Sequence, residues 1–233
     1  MKNKLPKGMV LHETTDIVVV ATKDSINDKT DNMIQVWILL KNIRPTEGLK
    51  TGEDERICFD CTHRRNKTCY VNVGQAPQQV WKSYKRGLYP KLDYSVLKEM
   101  VTGREIRFGA YGEPVLIPLE IVRFMAFNSK GWTGYTHQWH QLEFDDYKHF
   151  FMASADGTGD VMQAHMMGWR TFRVAPTDEE ELLDHEIICP NITHGVKCKT
   201  CLLCDGAGVK KSIVVPVHGT KGKINTFNNL QTL

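Results

Sequence analysis

Residues 105–128 read EIRFGAYGEPVLIPLEIVRFMAFN, and this stretch decides the fold. The segment 105–110 has the composition and length of a strand, and 118–128 that of a helix, with Phe124 and Phe127 at helical spacing as core. A strand feeding a helix is half of a βαβ unit, and the same alternation continues on the C-terminal side. Residues 133–139 read as a strand, 144–149 as a short connection and 150–154 as a strand. A helix over 160–167, a strand over 170–175, a short helix over 178–183 and a last short strand over 186–189 complete the run. On the N-terminal side, 77–86 and 94–101 read as helices, the second ended by Gly103. Before them, 17–22 and 33–41 (MIQVWILLK) read as strands joined by a polar turn over 24–32. Alternation at this spacing implies an α/β fold with parallel pairing and right-handed crossovers. Residues 212–217 (SIVVPV) add an outer strand, because Pro216 keeps it off the centre of a sheet, and the Gly- and Asn-rich residues 219–233 read as a loose tail.

At 233 residues, 41% hydrophobic and 24% charged, the chain has the composition of a soluble globular protein with a core of its own. A formal charge of +3 excludes little. Basic clusters at Arg64-Arg65-Asn66-Lys67, 82–86 and Lys210-Lys211 leave a nucleic-acid partner open beside the plainer reading of a solvated surface. No apolar run reaches the roughly 18 to 20 residues of a membrane span, and no apolar signal region follows the positive start, so a reducing cytoplasm is expected.

The seven cysteines divide into Cys58, Cys61 and Cys69, then Cys189, Cys198, Cys201 and Cys204, about 120 residues apart. Thiolates are soft ligands that select zinc, copper(I) or iron–sulfur clusters, and in a reducing compartment close spacing points to metal before disulfides. A set of four closes a metal site; a set of three leaves a position open for chemistry. The C-x2-C-x2-C run from Cys198 to Cys204, with Cys189-Pro190 upstream, has ferredoxin-type spacing, and zinc is the alternative. The first set, C-x2-C-x7-C, suits either a [4Fe–4S] cluster held by three irons or a zinc site completed by His63.

Polar and thiol residues recur just after the strands. They are the first cysteine loop, Tyr111-Gly112-Glu113-Pro114, the stretch from His137 to His140, Ser154-Ala155-Asp156-Gly157, and Cys189-Pro190-Asn191. In parallel α/β folds the C-terminal strand ends gather on one rim, where sites are built. His137 and Asp156 are candidates to move protons or hold substrate, Ser154 to bind a ribose or carboxylate, and Arg173 to hold an anionic substrate group.

A three-cysteine loop after a first strand, followed by Gly112-Glu113-Pro114 at the end of the next, resembles the radical S-adenosylmethionine (SAM) superfamily. The loop is a variant, since the common family spacing is C-x3-C-x2-C. The resemblance implies a partial parallel (β/α) barrel over residues 1–188 with its first cysteine loop at 58–69. It further implies a cysteine-rich metal subdomain over 189–218, similar to auxiliary-cluster regions, and a tail over 219–233. It implies that Cys58, Cys61 and Cys69 hold a [4Fe–4S] cluster and that Gly112, Glu113 and Pro114 contact the amino group of SAM. An electron donor and an unknown substrate follow from it. The chain also resembles phage and prophage proteins that pair both cysteine sets with Gly-Tyr-Thr-His (134–137) and Gly-Trp-Arg-Thr-Phe-Arg (168–173), a likeness that implies a bacterial cytoplasm but no activity. A zinc-stabilised, non-catalytic protein binding a host factor or nucleic acid is the other expectation.

Overall fold

The structure is a computed structural model that describes residues 5–24, 28–176, 181–206 and 208–231. Strands β1 (Gly8–Glu13), β2 (Ile17–Thr22) and β3 (Ile34–Leu40) form an antiparallel meander, Val10 opposite Val20 and Val20 opposite Trp37. β2 and β3 are buried along their whole length. That suits their unbroken apolar runs, since a strand covered on both faces has no reason to alternate. β1 was not legible in its mixed sequence; pairing with β2 makes it a strand and buries Met9, Val10 and Leu11.

From β3 onward the pairing turns parallel. β4 (Glu105–Tyr111) lies beside β3, and β5 (Gly131–Thr133) beside β4. Between β3 and β4 the chain makes α1 (Pro45–Thr51), α2 (Glu55–Cys58), α3 (Thr62–Arg65), α4 (Ala76–Lys85) and α5 (Tyr94–Val101). Asp93 caps α5 by accepting from the backbone N–H groups of Ser95 (2.8 Å) and Val96 (3.2 Å), which satisfies donors the first turn leaves orphaned. α6 (Leu119–Asn128) crosses from β4 to β5 and buries Ile121, Val122 and Met125 in the core shared with Leu97 and Met100 of α5. Each such side chain contributes roughly 1.5–3 kcal/mol by leaving water.

The strand expected over 133–139 is broken in two. β6 (Tyr135–Thr136) pairs not with β4 but with β7 (Met152–Ala155). Gly134 sits at the break, where a Cβ would lie 2.6 Å from the Phe151 ring and 3.3 Å from Phe108 Cβ. Beyond it, the Glu113 carboxylate takes the backbone N–H of His137 (3.2 Å) and the Thr136 hydroxyl takes that of Gln138 (2.9 Å). Side-chain acceptors thus claim donors that a ladder would need, and 138–140 closes into a 3-10 turn. The continuous strand expected over 133–139 therefore ends at Thr136.

Next come α7 (Thr158–Met166), β8 (Thr171–Ala175) and β9 (Glu186–Ile188). Of the helix expected over 178–183, residues 178–180 lie outside the described residues, and 181–183 are not helical. After α8 (Pro190–His194) and α9 (Cys198–Cys201), β10 (Ser212–Pro216) enters between β8 and β9, parallel to both. The outer position expected for it is corrected: Pro216 is tolerated because it is the strand's last residue, and the Val217 N–H resumes pairing with the Ala175 carbonyl at 2.8 Å. β10 is accordingly an interior strand of the second sheet. The expected loose tail instead carries α10 (Lys221–Gln231), whose Phe227 is buried.

The fold is α/β, with strand orders β1-β2-β3-β4-β5 and β6-β7-β8-β10-β9. The two sheets follow one another through Gly134, and no closed barrel forms among the described residues. No described helix is long and apolar enough to cross a membrane.

Candidate functional site

The first cysteine set is built on the connection that leaves β3. α2 ends at Cys58, Phe59 turns the chain with φ of 49°, and the Cys61 N–H returns to the Cys58 carbonyl at 3.1 Å. The Asp54 carboxylate accepts from Arg64 Nε at 2.8 Å, so Arg64 fastens the loop rather than decorating a surface. The Cys69 N–H donates to the His63 carbonyl at 3.0 Å, and Lys223 of α10 donates to the Cys69 carbonyl. Burial pushes the Cys58 thiol well up, and Cys61, Glu113 and Cys69 add to it, as groups sharing one pocket do. Burial likewise raises Cys69. The Tyr111 hydroxyl is buried beside Cys58 and Cys69 without a hydrogen-bond partner among the described residues.

β4 delivers Gly112 and Glu113 to the same rim. The Glu113 N–H donates to the Ile57 carbonyl at 2.7 Å, which joins the end of β4 directly to the residue before Cys58. Gly112 has φ of +79°, and a Cβ there would lie 2.8 Å from Ile38 Cβ and 3.3 Å from the Ile57 carbonyl oxygen. Only glycine lets the two segments meet. The Glu113 carboxylate is 5% exposed as a residue and accepts from the Thr136 hydroxyl at 2.6 Å. Its other oxygen lies 3.2 Å from His137 Nδ1. Pro114 is buried and begins the 3-10 turn that follows.

His137 stands between Glu113 and the cysteines, its Nε2 3.8 Å from Cys61 Sγ. Burial opposes its charge, but Cys61 and Glu113 outweigh burial and favour the imidazolium well above the ordinary histidine range. His63, from α3, faces it edge-on with ring centroids 5.7 Å apart. Asp156, just past β7, reaches both: Oδ1 is 3.4 Å from His63 Nε2 and 4.0 Å from His137 Nε2. The ligand atoms of His63, His137 and Asp156 lie within 4.8 Å of one another, and among the described residues no cysteine trio is so tightly gathered. Ser154 is buried on β7, where its carbonyl accepts from Trp139 Nε1 at 3.0 Å.

Arg173 is elsewhere engaged. It is 1% exposed and makes two bonds to Glu186, Nε at 2.9 Å and Nη2 at 2.7 Å. This is a buried ion pair between β8 and β9, not a group presented to a substrate.

The second set lines a small pocket with Thr133, Leu202, Leu203 and Ile213. Burial raises Cys198, Cys201 and Cys204, and mutual repulsion with Cys189 and one another adds to it. Arg170 organises the loop that carries Cys204. Its guanidinium donates to the carbonyls of Leu203 (2.8 Å), Gly206 (2.6 Å), Lys210 (3.0 Å) and Lys211, and to Asp205 Oδ1 at 3.2 Å. Between the two sets, Arg107 donates to the Tyr70 hydroxyl at 2.8 Å, and Tyr135 stacks on Phe172 at 4.4 Å.

The structure thus brings together Cys58, Cys61, Cys69, Gly112, Glu113, His137 and Asp156, and separately Cys189, Cys198, Cys201 and Cys204. Sequence reasoning overlooked Phe227 and Lys223. The i,i+3 pair Ile224 and Phe227 was the one signal for α10. Comparisons with protein-family models, with curated proteins and with solved structures each found no match.

Proposed function

We propose that the chain is a radical SAM-type iron–sulfur enzyme with a partial parallel (β/α) barrel core, one [4Fe–4S] cluster on Cys58, Cys61 and Cys69, and a second on Cys189, Cys198, Cys201 and Cys204. The observation that carries this is the bond from Glu113 N–H to the Ile57 carbonyl at 2.7 Å. It sets a Gly-Glu lip from the end of one parallel strand against a three-thiol pocket from the end of its neighbour. Sulfur spacing also favours clusters. A tetrahedral zinc with bonds of about 2.3 Å would hold its sulfurs about 3.8 Å apart, whereas among the described residues no cysteine trio lies within 4.8 Å. The unpartnered Tyr111 hydroxyl supplies a donor aimed at the first pocket, as a sulfide-rich group needs.

Cys58, Cys61 and Cys69 would hold the first cluster, which, once reduced by an electron donor, would supply the electron for reductive cleavage of SAM. The protein's part is positioning. Glu113 has spare acceptor capacity beyond Thr136 and His137 and takes the ammonium of SAM. His137 and Thr136 keep that carboxylate aimed, and Ser154 belongs to the adjacent strand end. The second set, closed by four thiolates, serves structure or electron transfer.

A zinc-stabilised, non-catalytic protein that binds nucleic acid or a host factor is the second reading. One distance favours it: Cys61 Sγ and His137 Nε2 are 3.8 Å apart, as two ligands of a single ion would be.

Metal content decides between them. Protein purified without oxygen is expected to be brown, to contain iron and acid-labile sulfide, and after reduction to convert SAM to 5′-deoxyadenosine and methionine. Cys61→Ala should abolish cleavage, and Glu113→Ala should weaken SAM binding. About two zinc per chain, with no iron retained after anaerobic reconstitution, would end the enzyme reading.

A further inference from the structure

We propose that His63, His137 and Asp156 form a separate binding site for one first-row divalent cation, Fe²⁺ or Zn²⁺, through the two Nε2 atoms and one carboxylate oxygen. The site is compatible with the iron–sulfur reading, whose ligands are the thiols, and competes with the zinc reading for His137 Nε2. Three observations carry it.

First, the ligand atoms already converge, all lying within 4.8 Å of one another. Metal bonds to nitrogen and carboxylate oxygen of about 2.0–2.2 Å place ligands of one ion roughly 3–4 Å apart. The 3.4 Å and 4.0 Å separations of Asp156 Oδ1 from the two Nε2 atoms fall in that range.

Second, each imidazole is held from outside through its other nitrogen. His137 Nδ1 lies 3.2 Å from Glu113 Oε1, and His63 Nδ1 lies 2.9 Å from Thr68 Oγ1. Glu113 and Thr68 are both buried, and Phe227 stacks on the His63 ring at 5.8 Å. Metal-binding histidines are oriented in this way, an outer acceptor fixing the tautomer so that the free nitrogen faces the ion. With Nδ1 engaged outward, both Nε2 atoms are left facing Asp156 Oδ1, and a cation binding there would displace the protons they share with it.

Third, the three side chains come from α3, the end of β6 and the end of β7, and are 16–19% exposed. The donors are sheltered but reachable. Two histidines and one carboxylate leave coordination positions open, as in non-haem iron sites. The open side adjoins Cys61, whose sulfur is 3.8 Å from His137 Nε2. The ion would therefore sit beside the first cysteine set, able to bind water or an oxygen of the substrate.

Cobalt(II) tests the site in full-length protein whose cysteine sets are already loaded with iron and sulfide, or with zinc. Wild type should bind one further equivalent, giving d–d absorption without a new thiolate-to-cobalt band. In the same sample two hydrogen-bonded imidazole Nδ1–H resonances should be shifted by the paramagnetic ion. His63→Gln and Asp156→Asn should each weaken cobalt binding at least tenfold while iron, sulfide or zinc at the cysteines stays unchanged. His140→Gln should bind as wild type does. The proposal is overturned if wild type binds no additional cobalt, if binding brings thiolate charge transfer, or if no imidazole proton shifts. Those readouts are taken on wild type and remain decisive even if a variant fails to fold. Folded His63→Gln and Asp156→Asn proteins that bind cobalt like wild type would also overturn it.

Discussion

At Gly112 the φ of +79° and the 2.8 Å that would separate a Cβ from Ile38 Cβ act together. Replacement by alanine adds left-handed strain and an overpacked contact, each of order 1–3 kcal/mol. Gly112→Ala is therefore expected to lower stability in urea by about 2–6 kcal/mol on those two costs. It should also pull Glu113 away from Ile57, so metal at the first cysteine set should fall while the second set stays loaded. The Arg173–Glu186 pair gives a second residue-level expectation. Its side chains are 1% and 0% exposed, and removing one partner of such a pair costs about 3–5 kcal/mol. Burial alone would raise the Glu186 carboxyl, but the bonds from Arg173 and Leu183 outweigh it and hold the group below its ordinary range. A carboxyl depressed by folding contributes stability above its unfolded pKa of about 4.3, and that contribution disappears as pH falls through the lower folded value. Glu186→Gln should thus destabilise strongly at pH 7, and its deficit against wild type should shrink below about pH 4. Denaturant melts at the two pH values check this; a deficit constant with pH would count against it.

Among elements, α10 has the least legible role in the sequence and a specific one in space. Phe227 stacks on His63, and Lys223 donates to the Cys69 carbonyl, so the helix covers the first cysteine loop. Ending the chain after residue 218 should leave the core folded but speed alkylation of Cys69 in metal-free protein at least severalfold, read by mass spectrometry peptide by peptide. Equal rates in both forms would mean that α10 does not cover the loop. The segment between α9 and β10 depends in turn on Arg170, which is 5% exposed and gathers four carbonyls and a carboxylate. Lysine lacks the planar fork that spans these acceptors. Arg170→Lys should therefore lose metal from Cys189, Cys198, Cys201 and Cys204 while the first set keeps its own.

Over the whole molecule, two five-stranded sheets follow one another at Gly134, and the cysteine sets draw on connections from different sheets. The first sheet packs into a large continuous core that runs from Met9 to Trp169 and also takes in Ala153 of β7 and Ala164 of α7. The second has a far smaller apolar cluster around Met152, Ile213 and Val215, with Cys189 and Cys204 packed against it. Metal binding to such a region is folding free energy. Chelation should therefore speed amide exchange in residues 189–206 and 208–216 much more than in β2 and β3, and equal loss of protection in both sheets would contradict this division.

The sequence by itself determined most of the elements. β2, α5, α6 and β8 stand within a residue or two of where periodicity, Gly103 and the apolar runs placed them, because local patterning dictates which face is buried. It also supplied the thiol inventory and the gathering of polar residues at strand ends. Only the tertiary structure decided the rest. The break at Gly134 is enforced by Phe151 and Phe108, residues distant from or outside the strand it interrupts. The interior place of β10 depends on which strands are left unpaired, not on its own residues. Arg173 resembled a substrate clamp until Glu186 lay against it, and Asp156 had no named neighbours until His63 and His137 converged on it. Pairing between residues far apart in the chain leaves no periodic trace in either one, so local sequence carries the elements while long-range contact assigns the chemistry.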